Sequence, residues 1–303
     1  MFTKRSTDQS RGTSASGDQQ LRPPDELAHM DFEMVVLRLA DDLAFGTDTS
    51  MFVGSGLEYA QSRPYEPGDP VRQMDWRISA RLGKAYIKQY ETLKRIAMYI
   101  LIDTSSSMSV SSTRLTKHDM AIWIGSALGI VGQRRMSPVG IVGAGERETR
   151  LELSLVRGDL WRAIEPLRMH AVGEKTSVGE RLRSLEPRMN RSSLVIVISD
   201  LHDPEAVSAL RHAAQRHDVI ALHLEDPAER GHLRAGFVRG IEAETGTTFT
   251  AGGRTQWQEE TEISRDLAGA GIGYLHLATD RAFVPVLRHF LASRGGHTRG
   301  RLA

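Results

Sequence analysis

The apolar run Ile96–Ile102 leads directly into Asp103, which is followed by two hydroxyls at alternate positions, Ser105 and Ser107. An uninterrupted apolar segment of this length is typical of a strand that is buried on both faces of a parallel sheet. Asp103 is therefore expected where the strand leaves the sheet, and open α/β sheets bind ligands at that edge. A helix cap is the alternative, because Asp and Ser often follow a strand to cap the next helix.

A second apolar run, Leu194–Ser199, also ends on a carboxylate, Asp200. If the two strands are parallel neighbours, both carboxylates emerge at the same edge of the sheet. Thr176 and Ser177 precede a predicted helix, where they either cap it or bring a further hydroxyl to that edge. Mg²⁺ prefers oxygen ligands in near-octahedral geometry and keeps positions for water or a partner, which suits one carboxylate with small hydroxyls. A divalent cation site is the functional interpretation of this pattern.

Apolar strands alternate with helical segments from Arg95 onward. This alternation predicts an α/β fold with a doubly wound, mostly parallel sheet and helices on both faces. Strands are predicted near 96–102, 138–143, 194–199, 218–224 and 273–277. Helices are predicted near 116–132, 158–169, 178–186, 204–214, 257–270 and 281–293. Hairpins are predicted over Arg147–Ser154 and Val238–Ala251.

The chain before this sheet has three predicted parts. Residues 1–24 are polar and rich in Gly and Ser, which predicts a disordered tail. Apolar residues at helical spacing predict an amphipathic helix from Asp25, its expected cap, to Phe45. The Gly- and Pro-punctuated segment 54–70 predicts short strands or a compact loop. We therefore divide the chain into a tail over 1–24, a region over 25–94 that packs on the core, and an α/β domain over 95–303.

Composition excludes several classes of function. The formal charge is only +1, so there is no overall electrostatic attraction to nucleic acid. The sequence contains no cysteine, which excludes thiolate metal ligands and a cysteine nucleophile. The segment Ala121–Gly132 is too short to span a bilayer and is predicted to be a buried helix. The first residues lack the apolar core of a secretory signal, so a cytoplasmic location is predicted.

Asp103, Ser105 and Ser107, followed by Thr176 before a helix and Asp200 after a later strand, resemble the metal-ion-dependent adhesion site of von Willebrand factor type A domains. The resemblance implies that the Asp and the two Ser side chains hold Mg²⁺ or Mn²⁺. The Thr and the last Asp would bind it directly or through water, and a carboxylate of the binding partner would complete the shell. The Gly-Gly that often precedes the family threonine is replaced here by Glu-Lys, so either Thr176 or the following serine supplies that oxygen.

An upstream signature, together with the downstream chain to about Arg294, resembles the bacterial domain of unknown function family 58. These are von Willebrand A-like proteins often found beside MoxR-type AAA+ ATPases. The resemblance implies a Rossmann-type sheet, a protein partner such as a MoxR-like ATPase or its client, and a role in complex assembly or chaperone-like maturation. The signature residues are Arg63, Tyr65, Pro67, Gly68, Asp69, Arg72, Asp75, Trp76, Ser79, Ala80, Arg81, Gly83, Tyr90 and Glu91.

The charged and aromatic members of this signature favour a structural network, because guanidinium–carboxylate pairs and cation–π stacking would lock the segment against the sheet. A phosphate- or protein-docking patch is the alternative, since Arg forks match both carboxylate and phosphate. The residues in question are Arg63, Tyr65, Asp69, Arg72, Asp75, Trp76 and Arg81 of the signature, together with Arg77 next to Trp76.

An enzyme is the competing interpretation of the two carboxylates. A Mg²⁺-dependent phosphohydrolase of the haloacid dehalogenase type also begins with an Asp after a buried strand, and Lys175, Asp200 and Asp203 would fit its later motifs. Such enzymes carry a second Asp as general acid where Ser105 stands here, and a hydroxyl does not replace a carboxylic acid in proton transfer near neutral pH. A non-enzymatic, metal-dependent protein-interaction module is therefore the preferred prediction.

Overall fold

The computed structural model describes residues 31–44, 57–92, 96–147, 149–169, 173–189, 192–230, 237–241, 248–252 and 260–294. The predicted tail over 1–24 lies outside these residues.

The N-terminal part contains a helix and a small sheet. Helix α1 spans Phe32–Ala44, strand β1 spans Leu57–Pro64, helix α2 spans Trp76–Leu82, and strand β2 spans Tyr86–Thr92. The strands β1 and β2 pair antiparallel, with a bulge that shifts their register. Of the two alternatives predicted for the segment 54–70, short strands or a compact loop, the structure has a strand at Leu57–Pro64, whereas its partner Tyr86–Thr92 lies beyond that segment.

The helix predicted from Asp25 to Phe45 is described only from Phe32 to Ala44, and its expected cap Asp25 lies outside the described residues. The residue before α1 is Asp31, whose Oδ1 accepts a hydrogen bond of 2.9 Å from the Glu33 amide. The predicted amphipathic pattern is present, because one face of α1 is buried through Val35, Val36, Leu39, Ala40 and Leu43.

The remaining chain alternates between strands and helices. The strands are β3 Met98–Ile102, β4 Val139–Gly143, β5 Arg150–Ser154, β6 Leu194–Ser199, β7 Asp218–Glu225, β8 Phe237–Ile241, β9 Thr248–Gly252 and β10 Gly273–Ala278. The helices are α3 Ser106–Ser109, α4 Lys117–Arg134, α5 Arg157–Leu167, α6 Val178–Leu185, α7 Ala206–Ala213, α8 Glu260–Gly269 and α9 Val284–Arg294. Short 3-10 turns occur at Val71–Gln73, Glu186–Arg188 and Pro227–Arg230.

Six of these strands form one sheet in the order β10-β7-β6-β3-β4-β5. All neighbours are parallel except β4 and β5. The strands β3 and β6 lie side by side with Ile102 opposite Ile198, so they end at the same level. The chain leaves β3 toward β4 on one side and leaves β6 toward β7 on the other. The boundary between β3 and β6 is therefore the topological switch point, where sheets of this type bind ligands.

Helices cover both faces of the sheet, which confirms the predicted mostly parallel, Rossmann-like α/β architecture. One apolar core lies under α1, α4, α5 and α9, and a second lies under α6, α7 and α8. Alternate residues of each strand contribute to the two cores, so that Ile100 and Ile102 face α4 whereas Tyr99 and Leu101 face the opposite layer.

Helix α4 is almost wholly buried, as predicted for Ala121–Gly132. It packs closely on β3 because Gly125 has no side chain: a Cβ there would lie 2.6 Å from Ile102 Cδ1. The helix begins after Thr116, whose Oγ1 accepts a hydrogen bond of 2.9 Å from the Asp119 amide. Within the described residues, no helix is long and apolar enough to cross a bilayer.

The two predicted hairpins have different outcomes. The strands β8 and β9 pair antiparallel, which confirms the hairpin predicted over Val238–Ala251. The segment Arg147–Ser154 is not a hairpin by itself: it contributes only β5, which pairs with β4 at the edge of the main sheet. Its alternating residues belong to one edge strand, whose antiparallel partner is the preceding strand Val139–Gly143.

Candidate functional site

Asp103 lies at the end of β3 with its side chain fully buried. Its Oδ1 accepts a hydrogen bond of 3.0 Å from the Ser105 amide. Its Oδ2 accepts hydrogen bonds from Ser199 Oγ at 2.6 Å and from Thr176 Oγ1 at 3.1 Å. Oxygen atoms from β3, from the end of β6 and from the loop before α6 therefore meet at this carboxylate. We call Asp103, Ser105, Ser107, Thr176 and Asp200 the strand-edge site.

The hydroxyls of the strand-edge site face one another instead of capping helices. Ser105 Oγ lies 3.0 Å from Ser107 Oγ, and Ser105 makes no capping hydrogen bond to α3. Thr176 directs its hydroxyl to Asp103, whereas Ser177 Oγ donates to the carbonyl of Gly145 at 2.7 Å. Of the two hydroxyls that the sequence left open, the structure thus brings Thr176 to the site.

Asp200 follows β6 and is also buried. Its Oδ2 lies 2.8 Å from Lys117 Nζ and 3.2 Å from His202 Nδ1. The Lys117 ammonium also pairs with Glu229 in the 3-10 turn after β7. Burial opposes ionisation of Asp200, but the positive charge of Lys117 and the hydrogen bond from His202 hold its pKa below the usual value.

The electrostatics of Asp103 differ from those of Asp200. Burial raises the pKa of Asp103 to about 6, and the negative charge of Asp200 adds to this rise. The hydrogen bonds from Ser199 and Ser105 oppose it. Among the described residues, no cationic side chain pairs with Asp103, whereas Lys117 pairs with Asp200. The site has a buried carboxylate whose charged form a bound cation would stabilise.

The buried Glu174 holds the loop that follows β3, which carries Ser105 and Ser107. Glu174 accepts hydrogen bonds from Thr104 Oγ1 at 3.2 Å and from the Arg147 amide at 3.0 Å, and it pairs with Arg147 Nε at 2.9 Å. Its carbonyl accepts a hydrogen bond of 2.8 Å from the Ser106 amide. Gly145 is required beside it, because a Cβ there would overlap Glu174 Oε1 and Thr104 Oγ1.

Four side chains around Asp103 and Asp200 were not predicted from the sequence, and one lysine that was considered for the site does not lie buried there. Lys175, considered for an enzymatic role, is exposed. Its neighbour Glu174 is instead the buried member of the pair. The sequence does contain an indication for Lys117. A lysine at the start of an otherwise apolar, buried helix is unusual, because lysine is rarely buried without a partner. The missed residues are Lys117, Ser199, His202 and Glu229.

The structure forms only part of the network predicted for the upstream signature. Arg63 and Asp69 make a bidentate pair at 2.8 and 2.7 Å. Asp75 caps α2 by accepting a hydrogen bond of 3.0 Å from the Ile78 amide. Tyr65 is half-buried, and Arg72, Trp76, Arg77 and Arg81 are exposed. Within the described residues, the network is seen at Arg63, Asp69 and Asp75, and the interpretation of the whole signature as one locking network stays a prediction.

The fold and this arrangement define an α/β protein whose mostly parallel sheet gathers oxygen donors at its switch point. Residues 61–265, more than half of the 303-residue chain, match the family "Protein of unknown function DUF58". The chain belongs to this family.

Two mycobacterial relatives extend the similarity over most of the chain. "Uncharacterized protein Rv1480" of Mycobacterium tuberculosis (strain ATCC 25618 / H37Rv) is 26% identical over 285 residues, which cover 89% of each chain. "Uncharacterized protein Mb1516" of Mycobacterium bovis matches with the same identity and coverage.

Two solved structures are more distant. BatB from Bacteroides thetaiotaomicron matches 66% of this chain and 99% of its own, with 17% identity and a TM-score of 0.44. The RO (RSR) protein of Deinococcus radiodurans matches 66% of this chain and 34% of its own, with 14% identity and a TM-score of 0.34. These likenesses are too loose to decide fold or function.

Proposed function

We propose that the strand-edge site holds one Mg²⁺ or Mn²⁺ ion and uses it to bind an acidic side chain of another protein. In this proposal the chain is a von Willebrand A-like interaction module and not an enzyme. The observation that carries the proposal is the convergence of Asp103, Ser105, Ser107 and Thr176 at the switch point, with Asp200 close enough to raise the pKa of Asp103.

The spacing of the oxygen atoms fits a small hard cation. Adjacent ligands of an octahedron with bonds of about 2.1 Å are about 3.0 Å apart. Ser105 Oγ and Ser107 Oγ are 3.0 Å apart, and Thr176 Oγ1 and Asp103 Oδ2 are 3.1 Å apart. The donors are all oxygens, which favours Mg²⁺ or Mn²⁺ over a metal that prefers nitrogen or sulfur.

The charge balance of the site also favours capture of a carboxylate. Lys117 already offsets the charge of Asp200, so Asp103 is the one carboxylate of the strand-edge site without a cationic side chain against it. A divalent ion held by a single uncompensated carboxylate and neutral hydroxyls keeps most of its positive charge. It would therefore attract an acidic group from a partner, which is the chemistry this site would contribute.

The nature of the partner rests on the family resemblance alone. DUF58 proteins are von Willebrand A-like proteins often found beside MoxR-type AAA+ ATPases, so we propose that such an ATPase, or its client, docks at the site. The role would be complex assembly or chaperone-like maturation in the cytoplasm.

The phosphohydrolase alternative is less well supported by the described residues. It needs a general acid near the first Asp, and Ser105 directs its hydroxyl to Ser107 there. It also needs a lysine at the site from the loop before α6, and Lys175 is exposed. Mg²⁺-dependent release of phosphate from an aryl phosphate, lost in the Asp103→Ala variant, would favour this alternative.

Calorimetric titration with Mg²⁺ and Mn²⁺ tests the first half of the proposal. We expect one binding site in the wild type, loss of binding in Asp103→Ala, and at least about tenfold weaker binding in a Ser105→Ala/Ser107→Ala variant. The exposed Ser184→Ala substitution is the matched control and should leave the affinity unchanged. Absence of divalent-ion binding by the wild type would refute the proposal.

A binding assay with a purified MoxR-type ATPase tests the second half. Binding is expected in Mg²⁺ and should be lost in EDTA and in the Asp103→Ala variant. Circular dichroism and thermal unfolding establish that the variant is folded. Binding that is equally strong in EDTA would exclude a metal-bridged contact.

A further inference from the structure

The segment that follows β1 exposes a large aromatic side chain. Trp76, the first residue of α2, is 68% exposed, and Val71 shortly before it is 58% exposed. Large apolar side chains exposed to this degree are common singly on protein surfaces, but Trp is the residue most enriched at the centres of protein interfaces. The exposure of Trp76 indicates an interface only together with its surroundings, and basic side chains lie beside it on the same helix.

The exposed side of α2 carries both the aromatic and the basic residues. At about 100° per residue, Trp76, Ala80, Arg77 and Arg81 fall within an arc of about 140°. All four are exposed. We call these residues the α2 surface. Arg77 and Arg81 are four positions apart, so their guanidinium groups leave the same side of the helix on successive turns.

The opposite side of α2 is held by the rest of the small sheet. Asp75 caps the helix, and Ser79 Oγ accepts a hydrogen bond of 2.8 Å from the Tyr86 amide at the start of β2. Gly83 ends the helix with a positive φ of 67°. The α2 surface is thus displayed by a short helix fixed at both ends, which lowers the entropy cost of docking.

The charge around the α2 surface is one-sided. Between Val71 and Lys84 the sequence has four basic residues, and the only acid is Asp75. The carboxylate of Asp75 accepts hydrogen bonds from the Ile78 amide and the Ser62 hydroxyl and makes no ion pair with these residues. Within the described part of the chain, no carboxylate lies within ion-pair distance of the basic group. Its members are Arg72, Arg77, Arg81 and Lys84.

We propose that the α2 surface is a second docking site, separate from the strand-edge site, for an acidic and partly apolar segment of a protein partner. Carboxylates on successive turns of that segment pair with Arg77 and Arg81, and an apolar side chain between them packs on Trp76.

A protein segment suits this surface better than a nucleic acid. Polyanion binding requires an extended basic surface, whereas the basic residues here occupy one short helix and its flanks in a chain whose formal charge is only +1. The aromatic ring beside Ala80, which leaves room for a close approach, indicates an apolar contact next to the charged one.

The test uses a fluorescent helical peptide with Glu at positions i and i+4 and Leu on the adjacent stripe, titrated with the full-length protein in EDTA. EDTA removes any contribution of a cation at the strand-edge site, so a failure of the metal proposal does not affect this measurement. We expect saturable, salt-sensitive binding that weakens at least about tenfold in Trp76→Ala and in Arg77→Glu/Arg81→Glu.

Matched controls separate docking from net charge. Arg211→Glu/Arg216→Glu makes the same change of charge on exposed positions at and after the end of α7 and should keep the wild-type affinity. A peptide with Lys in place of Glu should bind the Arg77→Glu/Arg81→Glu variant better than the wild type. Unchanged affinity of the α2-surface variants, equal binding of a Gln-substituted peptide, or tighter binding of an oligonucleotide at the same salt concentration would overturn the proposal.

Discussion

Lys117 Nζ lies 2.8 Å from Asp200 Oδ2, and both side chains are fully buried. The ammonium also pairs with Glu229, and His202 contacts the same carboxylate oxygen. One lysine at the start of α4 thereby joins the ends of β6 and β7. A buried pair of this kind is weak evidence for stability, but removal of one partner leaves an uncompensated charge in the interior. Lys117 therefore acts as a permanent cation within the molecule.

Substitution of Lys117 is expected to create a new metal site. Ligand atoms of Asp200, His202 and Glu229 all lie within 4.8 Å of one another, a spacing that suits a divalent ion once the ammonium is gone. We expect Lys117→Met to bind one more Mn²⁺ or Zn²⁺ ion than the wild type in calorimetric titration.

The additional ion bound by Lys117→Met should be lost when one of its three ligands is also removed. Lys117→Met/Glu229→Gln is the control for this, and Lys117→Arg, which keeps the positive charge, should show the wild-type stoichiometry. An unchanged stoichiometry in a folded Lys117→Met variant would show that the three side chains need more than the loss of the ammonium to bind an ion.

Asp103→Asn is expected to stabilise the protein without metal. The pKa of Asp103 is raised to about 6, so its charged form at neutral pH is unfavourable in the folded state. A rise of about two pKa units corresponds to up to about 3 kcal/mol in the free energy of unfolding. We expect a higher unfolding midpoint in EDTA and no further increase on addition of Mg²⁺. Asp266→Asn, on the exposed side of α8, is the control and should change neither quantity.

Gly145→Ala is expected to disturb the strand-edge site from outside it. The new Cβ would overlap Glu174 Oε1 and Thr104 Oγ1, so these two side chains have to move and the hydrogen bond between them is disturbed. Forced overpacking of this kind lowers the free energy of unfolding by about 2 kcal/mol. Divalent-ion affinity should fall with it, because Thr176 follows the displaced residue.

Gly158→Ala provides the comparison for this glycine substitution. Apart from its chain neighbours and the nearby backbone of its own helix, nothing lies within 4 Å of a Cβ built on Gly158, which is in the first turn of α5. This variant should be slightly more stable than the wild type, by about 0.5 kcal/mol, because Ala favours the helix. Chemical denaturation measures both changes, and equal stabilities for the two variants would contradict the steric argument.

His223 should make stability depend on pH below neutrality. Burial lowers its pKa to about 4, and the nearby His276 adds to the effect. The unfolded chain therefore binds a proton on this side chain at a higher pH than the folded chain does. The contribution of neutral His223 is present above pH 6.5 and is lost as the pH falls toward 4. Between about pH 7.5 and about pH 5 the loss is about 2 kcal/mol.

His223→Gln removes the titration while keeping a polar partner for Tyr274, whose hydroxyl lies 2.7 Å from His223 Nδ1. Urea denaturation at the two pH values should show a smaller difference for this variant than for the wild type. The exposed His212→Gln substitution on α7 is the control. A pH dependence that is the same in all three proteins would exclude His223 as its source.

Local patterns in the sequence predicted most of the sheet. Apolar runs and their flanking turns placed β3, β6, β7 and β10 within a few residues. The runs are uninterrupted in β3 and β6 because these central strands are buried on both faces. The antiparallel edge strand β5 was misassigned, since the sequence does not state which strand is its partner. Pairing is a property of the whole sheet, so an alternating segment alone is compatible with several partners.

The sequence predicted the members of the strand-edge site that follow a strand end or precede a predicted helix, and missed the side chains that support them. Asp103 and Asp200 follow apolar runs directly, and parallel pairing brings such residues together. Lys117 and Glu229 reach the same place from a helix start and a 3-10 turn, 112 residues apart in sequence. A local sequence pattern does not indicate which residues meet when they are so far apart in the chain, and a lysine is ordinarily expected on the surface.

Helix α4 connects the site to the far side of the molecule. Its 18 residues correspond to a rod about 27 Å long. Lys117 occupies one end, and at the other end Arg134 pairs with Asp41 of α1 at 2.6 Å. The same helix packs closely on β3 at Gly125 and contacts α1. A single rigid element therefore carries both the lysine that pairs with Asp200 and the arginine that pairs with the N-terminal helix.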